Sequence, residues 1–147
     1  AQAEGCSPVA RAFAAGERVC TPVKPDTIAK SLAIGDPADG PYAVELAQRS
    51  GGGIEAVSDD EIRDGIRLLA ETTGVFTETA GGVTMATLAR LAERGEIERG
   101  ERVVVVITGE GLKTLDAVRG SFEAERIEPT VASFAERCEG DTLTVSA

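Results

Sequence analysis

The chain has 147 residues, with 25 acidic against 15 basic side chains and a formal net charge of −10. That length suits one domain with a real core, and that charge argues against nucleic acid or an anionic membrane surface as the main partner. There is no histidine, and Cys6, Cys20 and Cys138 lie far apart without a Cys-x-x-Cys pair. Zinc centres, disulfide frameworks and histidine-based hydrolase machinery are therefore not expected. No apolar run is long enough to cross a bilayer, so a soluble, cytoplasmic protein is expected.

The opening Ala1-Gln2-Ala3-Glu4-Gly5 reads as a strand that begins at the first residue, without an initiator methionine or a signal-peptide pattern. Domains more often start with a few untethered residues, so a chain cut inside a longer protein is expected. Ser7-Pro8 then starts a helix, serine as its cap and proline in the first turn, with Val9 and Phe13 on one face and Gly16 at its end. Residues 18–39 form a long connection punctuated by Pro22, Pro25, Gly35 and Pro37. A second helix begins at Pro41, carries Val44, Leu46 and Ala47, and stops at Ser50-Gly51-Gly52-Gly53 before a short strand at 54–57.

Ser58-Asp59-Asp60-Glu61 is a capping box, which predicts a helix over 59–73 with Ile62, Ile66 and Leu69 on its inner face and Arg63 and Arg67 toward water. Gly74 leads to a short strand Val75-Phe76-Thr77, then to a helix carrying Met85, Leu88, Leu91 and Ala92 that closes at Gly95. Val103-Val104-Val105-Val106-Ile107 is a run of β-branched residues without alternation, the pattern of a strand buried on both faces. Strands alternating with helices predict an α/β fold with a parallel sheet and right-handed crossovers. Beyond Lys113, a helical stretch at 115–118, an irregular acidic segment, a helix at 130–137 and a strand at 143–145 complete the chain.

Two turns leave the carboxyl ends of consecutive strands, Glu78 to Gly82 and Thr108 to Gly111, and ligands of open α/β sheets bind at such ends. Glycines admit a ligand to the backbone, and a helix starting at Gly81-Gly82 would direct free N–H groups at it. The pair suits a flat, polar molecule; spacing alone equally allows ordinary turns between packed elements. Gly109-x-Gly111 lacks the third glycine of a dinucleotide fingerprint, and Lys113-Thr114 lacks the preceding glycine of a P-loop. Lys24, Lys30 and Lys113 fall in turns or loops, where solvation is the commoner role, and Cys6 and Cys20 read as small buried residues.

Three segments carry a resemblance: Thr27-Ile28-Ala29-Lys30-Ser31-Leu32-Ala33-Ile34-Gly35-Asp36-Pro37, Gly74-Val75-Phe76-Thr77-Glu78-Thr79-Ala80-Gly81-Gly82-Val83-Thr84, and Ile107-Thr108-Gly109-Glu110-Gly111-Leu112-Lys113-Thr114. With the opening Gln2 to Pro8, their order and spacing resemble the threonine synthases, over residues 1–119. The resemblance implies a pyridoxal 5'-phosphate (PLP) enzyme of the tryptophan-synthase-like fold, a parallel-sheet three-layer architecture of which 1–119 would be an incomplete part of the large domain. Residues 120–147 would be a carboxyl-terminal extension packing on that domain or on a neighbouring subunit. Such enzymes convert O-phospho-L-homoserine and water to L-threonine and phosphate.

By that resemblance, Thr108 places its hydroxyl against the pyridine nitrogen, Gly109 belongs to the same turn, and Glu78, Thr79, Ala80 and Gly81 line the pocket near the ring. A neutral hydroxyl partner would leave the nitrogen largely unprotonated. The segment 27–35 would run by the substrate. Glu110 departs from the asparagine or histidine frequent in relatives, and a carboxylate there would bear on the ring's protonation. The Schiff-base lysine and the glycine-rich phosphate loop lie upstream in the family, and nothing in this chain matches either. The resemblance therefore implies no catalytic residue here, a chain inactive alone, the missing amino-terminal portion as its partner, and a homo-oligomer. A threonine or serine ammonia-lyase or cysteate synthase of the same fold, or a non-catalytic ligand-binding or assembly module, are the alternatives.

Overall fold

The computed structural model describes residues 1–121 and 126–138. Strand β1 (Gln2–Ala3) pairs in parallel with β2 (Ala56–Val57), Gln2 opposite Ala56 and Ala3 opposite Val57. Between them lie helix α1 (Pro8–Ala14), the connection with a 3-10 helix at Lys30–Leu32, and helix α2 (Gly40–Ser50). Helix α3 (Asp59–Thr73), helix α4 (Thr79–Glu93), a 3-10 helix at Gly111–Val118 and helix α5 (Val131–Cys138) follow.

Local chemistry sets most of these boundaries. Ser58 Oγ accepts from the Glu61 amide while the Glu61 carboxylate accepts from the Ser58 amide, the expected capping box, and α3 runs over the expected residues. The α1 cap differs from expectation. Ser7 donates its hydroxyl to the Glu4 carbonyl, and Gln2 Oε1 accepts from the amides of Val9 and Ala10 at 3.0 Å each. The first strand thus caps the first helix, satisfying donors that Pro8 leaves to the next two residues.

The main core joins Ala3 and Val57 of the strands to Ile62 and Ile66 of α3, Val83 and Ala86 of α4, and Ala29 and Val118. Ile62 is wholly buried, worth about 1.5–3 kcal/mol of transfer free energy. A second cluster of Val9, Ala12, Cys20 and Val44 holds α1 on α2. Cys6 and Cys20 are both buried, as expected of small core residues. Arg63 and Arg67 do not simply face water. Arg63 Nε donates to the Ala117 carbonyl and Arg67 to the Ser121 hydroxyl, tying α3 to the end of the second 3-10 helix.

Two expected strands are not formed. Residues 75–77 make a single antiparallel bridge, Thr77 to Glu110, and 103–107 lies outside any strand. Val103, Val104 and Val106 are 46%, 88% and 65% exposed. A strand buried on both faces needs a neighbour on each edge to take its N–H and C=O groups. Among the described residues, the only sheet is β1 with β2, so 103–107 has nothing to pair with. The start of α4 also moves: it begins at Thr79, with Glu78 as its flanking residue, so Gly81-Gly82 lies inside the helix. The helix expected at 130–137 is present as α5, whereas the strand expected at 143–145 lies outside the described residues. No helix among the described residues is long and apolar enough to cross a membrane.

Candidate functional site

The two turns singled out in the sequence meet. Gly109 carbonyl oxygen accepts from the Glu78 amide and from the Thr77 hydroxyl, each at 3.1 Å, and Gly111 N–H donates to the Phe76 carbonyl at 3.1 Å. These bonds sew 107–111 alongside 76–78. Across the seam, Thr108 Oγ1 donates to Glu78 Oε1 at 3.2 Å. Thr108 is exposed while Glu78 is 8% exposed, so the pair runs from the surface to a buried carboxylate.

Close packing explains the glycines. A side chain at Gly109 would strike the Glu78 carboxylate, one at Gly81 the Thr77 side chain, and one at Gly111 the Phe76 ring. At these positions glycine serves tight contact between the turns, and the contact fixes where Glu78 and Thr108 stand. Thr114 completes the arrangement: its Oγ1 accepts from the Thr79 amide at 3.1 Å, capping α4 where Glu78 offers no side-chain cap. Thr79 is wholly buried and its own hydroxyl has no hydrogen-bond partner among the described residues. Ala80 is half-buried, and its carbonyl accepts from the Thr84 hydroxyl.

The expected pocket residues Thr108, Gly109, Glu78, Thr79, Ala80 and Gly81 are therefore neighbours in space. The segment at 27–35 is fixed to the same framework. Thr27 Oγ1 donates to Asp59 Oδ1 at 2.6 Å and the Ile28 amide to Asp59 Oδ2 at 3.1 Å, which fastens it to the start of α3, and its 3-10 helix packs on α4. Lys30 Nζ bonds the Thr27 carbonyl of its own segment, and Lys113 Nζ stands 3.9 Å from Glu78 Oε2 with 63% of its side chain exposed. Glu110 turns away, accepting from the Leu112 amide.

Sequence reasoning missed Thr77, Thr114 and Asp59; the signal was available for Thr114, a hydroxyl beside the Gly111 turn. It also missed Arg90. At the far end of α4, Arg90 bonds Glu61 and the Ala56 carbonyl and lies within ion-pair distance of Glu4 and Glu55. The Arg90 guanidinium holds the Glu61 carboxyl at about 2, well below its usual value, and the carboxylates in turn raise the pKa of Arg90. This cluster clamps β2 to α3 and α4, away from the paired turns.

The site's chemistry fits one edge of a PLP ring. It offers an exposed hydroxyl at Thr108 and an unpartnered one at Thr79, both suited to heteroatoms of a flat polar ring. It does not suit a phosphate, because the buried acceptor Glu78 faces it and Lys113 is solvated.

Comparison with known proteins identifies the family. The family model described as pyridoxal-phosphate dependent enzyme matches residues 1–109. The chain is 43% identical over 129 residues to a threonine synthase of Methanocaldococcus jannaschii, covering 86% of this chain and 32% of that protein. It is 45% identical over 102 residues to a threonine synthase of Bacillus sp. (strain ULM1), covering 69% of this chain and 29% of that protein. Among solved structures, a fungal L-serine ammonia-lyase from Rhizomucor miehei aligns with a TM-score of 0.57 and 25% identity, over 82% of this chain and 39% of that one. The α/β fold class expected from sequence stands on this likeness. The chain spans about a third of the length of the relatives it matches.

Proposed function

Because the chain belongs to the pyridoxal-phosphate dependent enzyme family, we propose that it forms the ring-nitrogen side of the PLP pocket in a threonine synthase. The complete enzyme would convert O-phospho-L-homoserine and water to L-threonine and phosphate. The observation that carries this reading is the Thr108–Glu78 hydrogen bond, held between turns whose glycines leave no room for a side chain.

When bound, PLP supplies an electron sink for the substrate's reacting carbon. Thr108 would meet the ring nitrogen with its hydroxyl, and Gly109 would hold that residue against Glu78. Thr79, Ala80 and Gly81 would line the wall beside the ring. The first turn of α4 brings its positive end to the same place, which favours electron-rich groups there. The amine that bonds the cofactor and the loop that holds its phosphate would come from the amino-terminal portion of the same enzyme, the partner this chain requires. Pairing with that portion would also give residues 103–107 the strand neighbours that the described residues do not supply. We place the assembled enzyme in the cytoplasm as a homo-oligomer, with residues 120–147 packing on the large domain or on a neighbouring subunit.

The likeness to a serine ammonia-lyase supports a second reading with the same fold and a different reaction, at lower identity than the threonine synthases. The reading frame upstream of Ala1 is the first test of either. A lysine motif and a glycine-rich loop in that frame are expected, and their absence would remove the enzyme assignment.

A further inference from the structure

We infer that Thr114 is a positioning residue of the proposed PLP pocket: by accepting from the Thr79 amide, its hydroxyl oxygen holds the first turn of α4 in the orientation that takes the cofactor. The inference rests on that pocket and goes beyond it. A helix leaves its first amides without partners of its own, and a side-chain oxygen on the flanking residue ordinarily takes one of them. Glu78 flanks α4 and makes no such bond. Its head is engaged across the seam, where Oε1 accepts from Thr108 at 3.2 Å and the carboxyl group fills the space that a Gly109 side chain would need. The acceptor comes instead from 35 residues along the chain, as Thr114 Oγ1 at 3.1 Å from the Thr79 nitrogen.

The backbone bends to deliver it. Within the 3-10 helix Gly111–Val118, Thr114 has non-helical angles, φ −134° and ψ 39°, so the kink falls at the residue whose side chain reaches α4. Either side of the kink is anchored without Thr114. The Gly111 amide donates to the Phe76 carbonyl, the Ala117 carbonyl accepts from Arg63, and Val118 is buried in the core. Removing the Thr114 oxygen therefore leaves its own segment in place and withdraws support from the start of α4.

That support falls where the pocket is built. Glu78 and Thr79 are each tied through the amide, to Gly109 and to Thr114, and the two bonds set the direction in which Thr79, Ala80 and Gly81 leave the seam. Thr79 is wholly buried, and its hydroxyl has no hydrogen-bond partner among the described residues. Thr72, Thr73 and Thr84 donate to the carbonyl four residues back, an outlet that Thr79 does not use as the first residue of its helix. Thr87, the other buried hydroxyl without a partner among the described residues, lies about 12 Å further along α4. Buried hydroxyls are normally satisfied, so the one that Thr114 holds at the seam is available to a ligand. Without the Thr114 oxygen the first turn frays, and a cofactor that needs the turn formed binds more weakly in proportion to the time it is unformed.

The test strips the complete enzyme of PLP and titrates it back, reading bound cofactor by its absorbance. Thr114→Val keeps the shape and loses the acceptor, and is expected to weaken PLP binding about tenfold, the scale of a lost helix cap. Thr114→Ser restores the oxygen and is expected to bind as the wild type does. Amide hydrogen exchange in the valine variant should quicken in the first turn of α4 and not in α3. A valine variant that loses thermal stability yet binds PLP like the wild type makes the cap structural only and overturns the inference, as does a serine variant as weak as the valine one. If Thr114→Val fails to fold, exchange in the wild type decides: a Thr79 amide protected before PLP is added supports the inference, and one protected only after PLP binds overturns it. A wild-type enzyme that takes up no PLP overturns the pocket itself, a result distinct from tight binding that Thr114→Val leaves unchanged.

Discussion

Gly65 of α3 and Gly82 of α4 meet backbone to backbone: a side chain on Gly65 would stand 2.5 Å from the Gly82 carbonyl oxygen, and one on Gly82 would stand 2.6 Å from that of Ile62. The two helices cross at this point and bury Ile62, Ile66 and Val83 around it. Because the obstructing atoms are backbone, neither helix can yield by rotating a side chain. Gly65→Ala is therefore expected to lower stability by about 1–3 kcal/mol despite alanine's better helix propensity. Denaturant midpoints of the two proteins check this, and an unchanged midpoint would mean that the helices do not pack as described.

A second prediction concerns pH. The Glu61 carboxyl is held at about 2, first by its hydrogen bond to Arg90, against an ordinary value of 4.5. A depressed carboxyl contributes stability that is fully present above its unfolded value and lost as pH falls through the folded one. The loss should therefore fall between pH 4.5 and about 2. Glu61 is 40% exposed, so solvent screening makes the contribution smaller than the shift alone implies. In Glu61→Gln, which retains the helix-capping acceptor, the stability difference from wild type is expected to shrink across that window. A difference that stays constant with pH would show that the pair does not titrate as described.

Much of the framework was legible because it is local. The Ser58 to Glu61 box set α3, and the periodic Ile62, Ile66 and Leu69 named its buried face. The paired turns were legible for the same reason, since hydroxyl, acid and glycine residues fall together in each. The cap that Gln2 provides for α1, the Thr114 cap on α4 and the Arg90 cluster were not legible. Each joins residues whose proximity only the fold creates. The run at 103–107 misled differently: five β-branched residues record a preference for strand, and a strand forms only against a partner, which the described residues do not supply.

That unpartnered run leads to a third prediction. Val103, Val104 and Val106 are all exposed apolar side chains within four residues of chain. The 147-residue chain produced by itself is expected to associate. Gel filtration should show species larger than a monomer, reduced in a Val104→Lys, Val106→Lys double variant. A monodisperse wild-type monomer would favour a free-standing module.

The fourth prediction uses the Gly109 contact. Gly109→Ala pushes a methyl group into the Glu78 carboxylate and so moves the partner of Thr108. In the complete enzyme this is expected to cut turnover by about a hundredfold, the scale of a misplaced site group, with the fold retained. Circular dichroism would establish the fold and a steady-state assay the turnover; a variant as active as wild type would place the seam outside the site.

The most direct measurement follows the reaction of the complete enzyme with PLP on two substrates. Phosphate release from O-phospho-L-homoserine, with L-threonine formed in equal amount, is the predicted result, and it should fall when Thr108 is replaced by valine. Ketoacid formation from threonine or serine, without phosphate release from O-phospho-L-homoserine, would contradict the assignment and favour the ammonia-lyase reading.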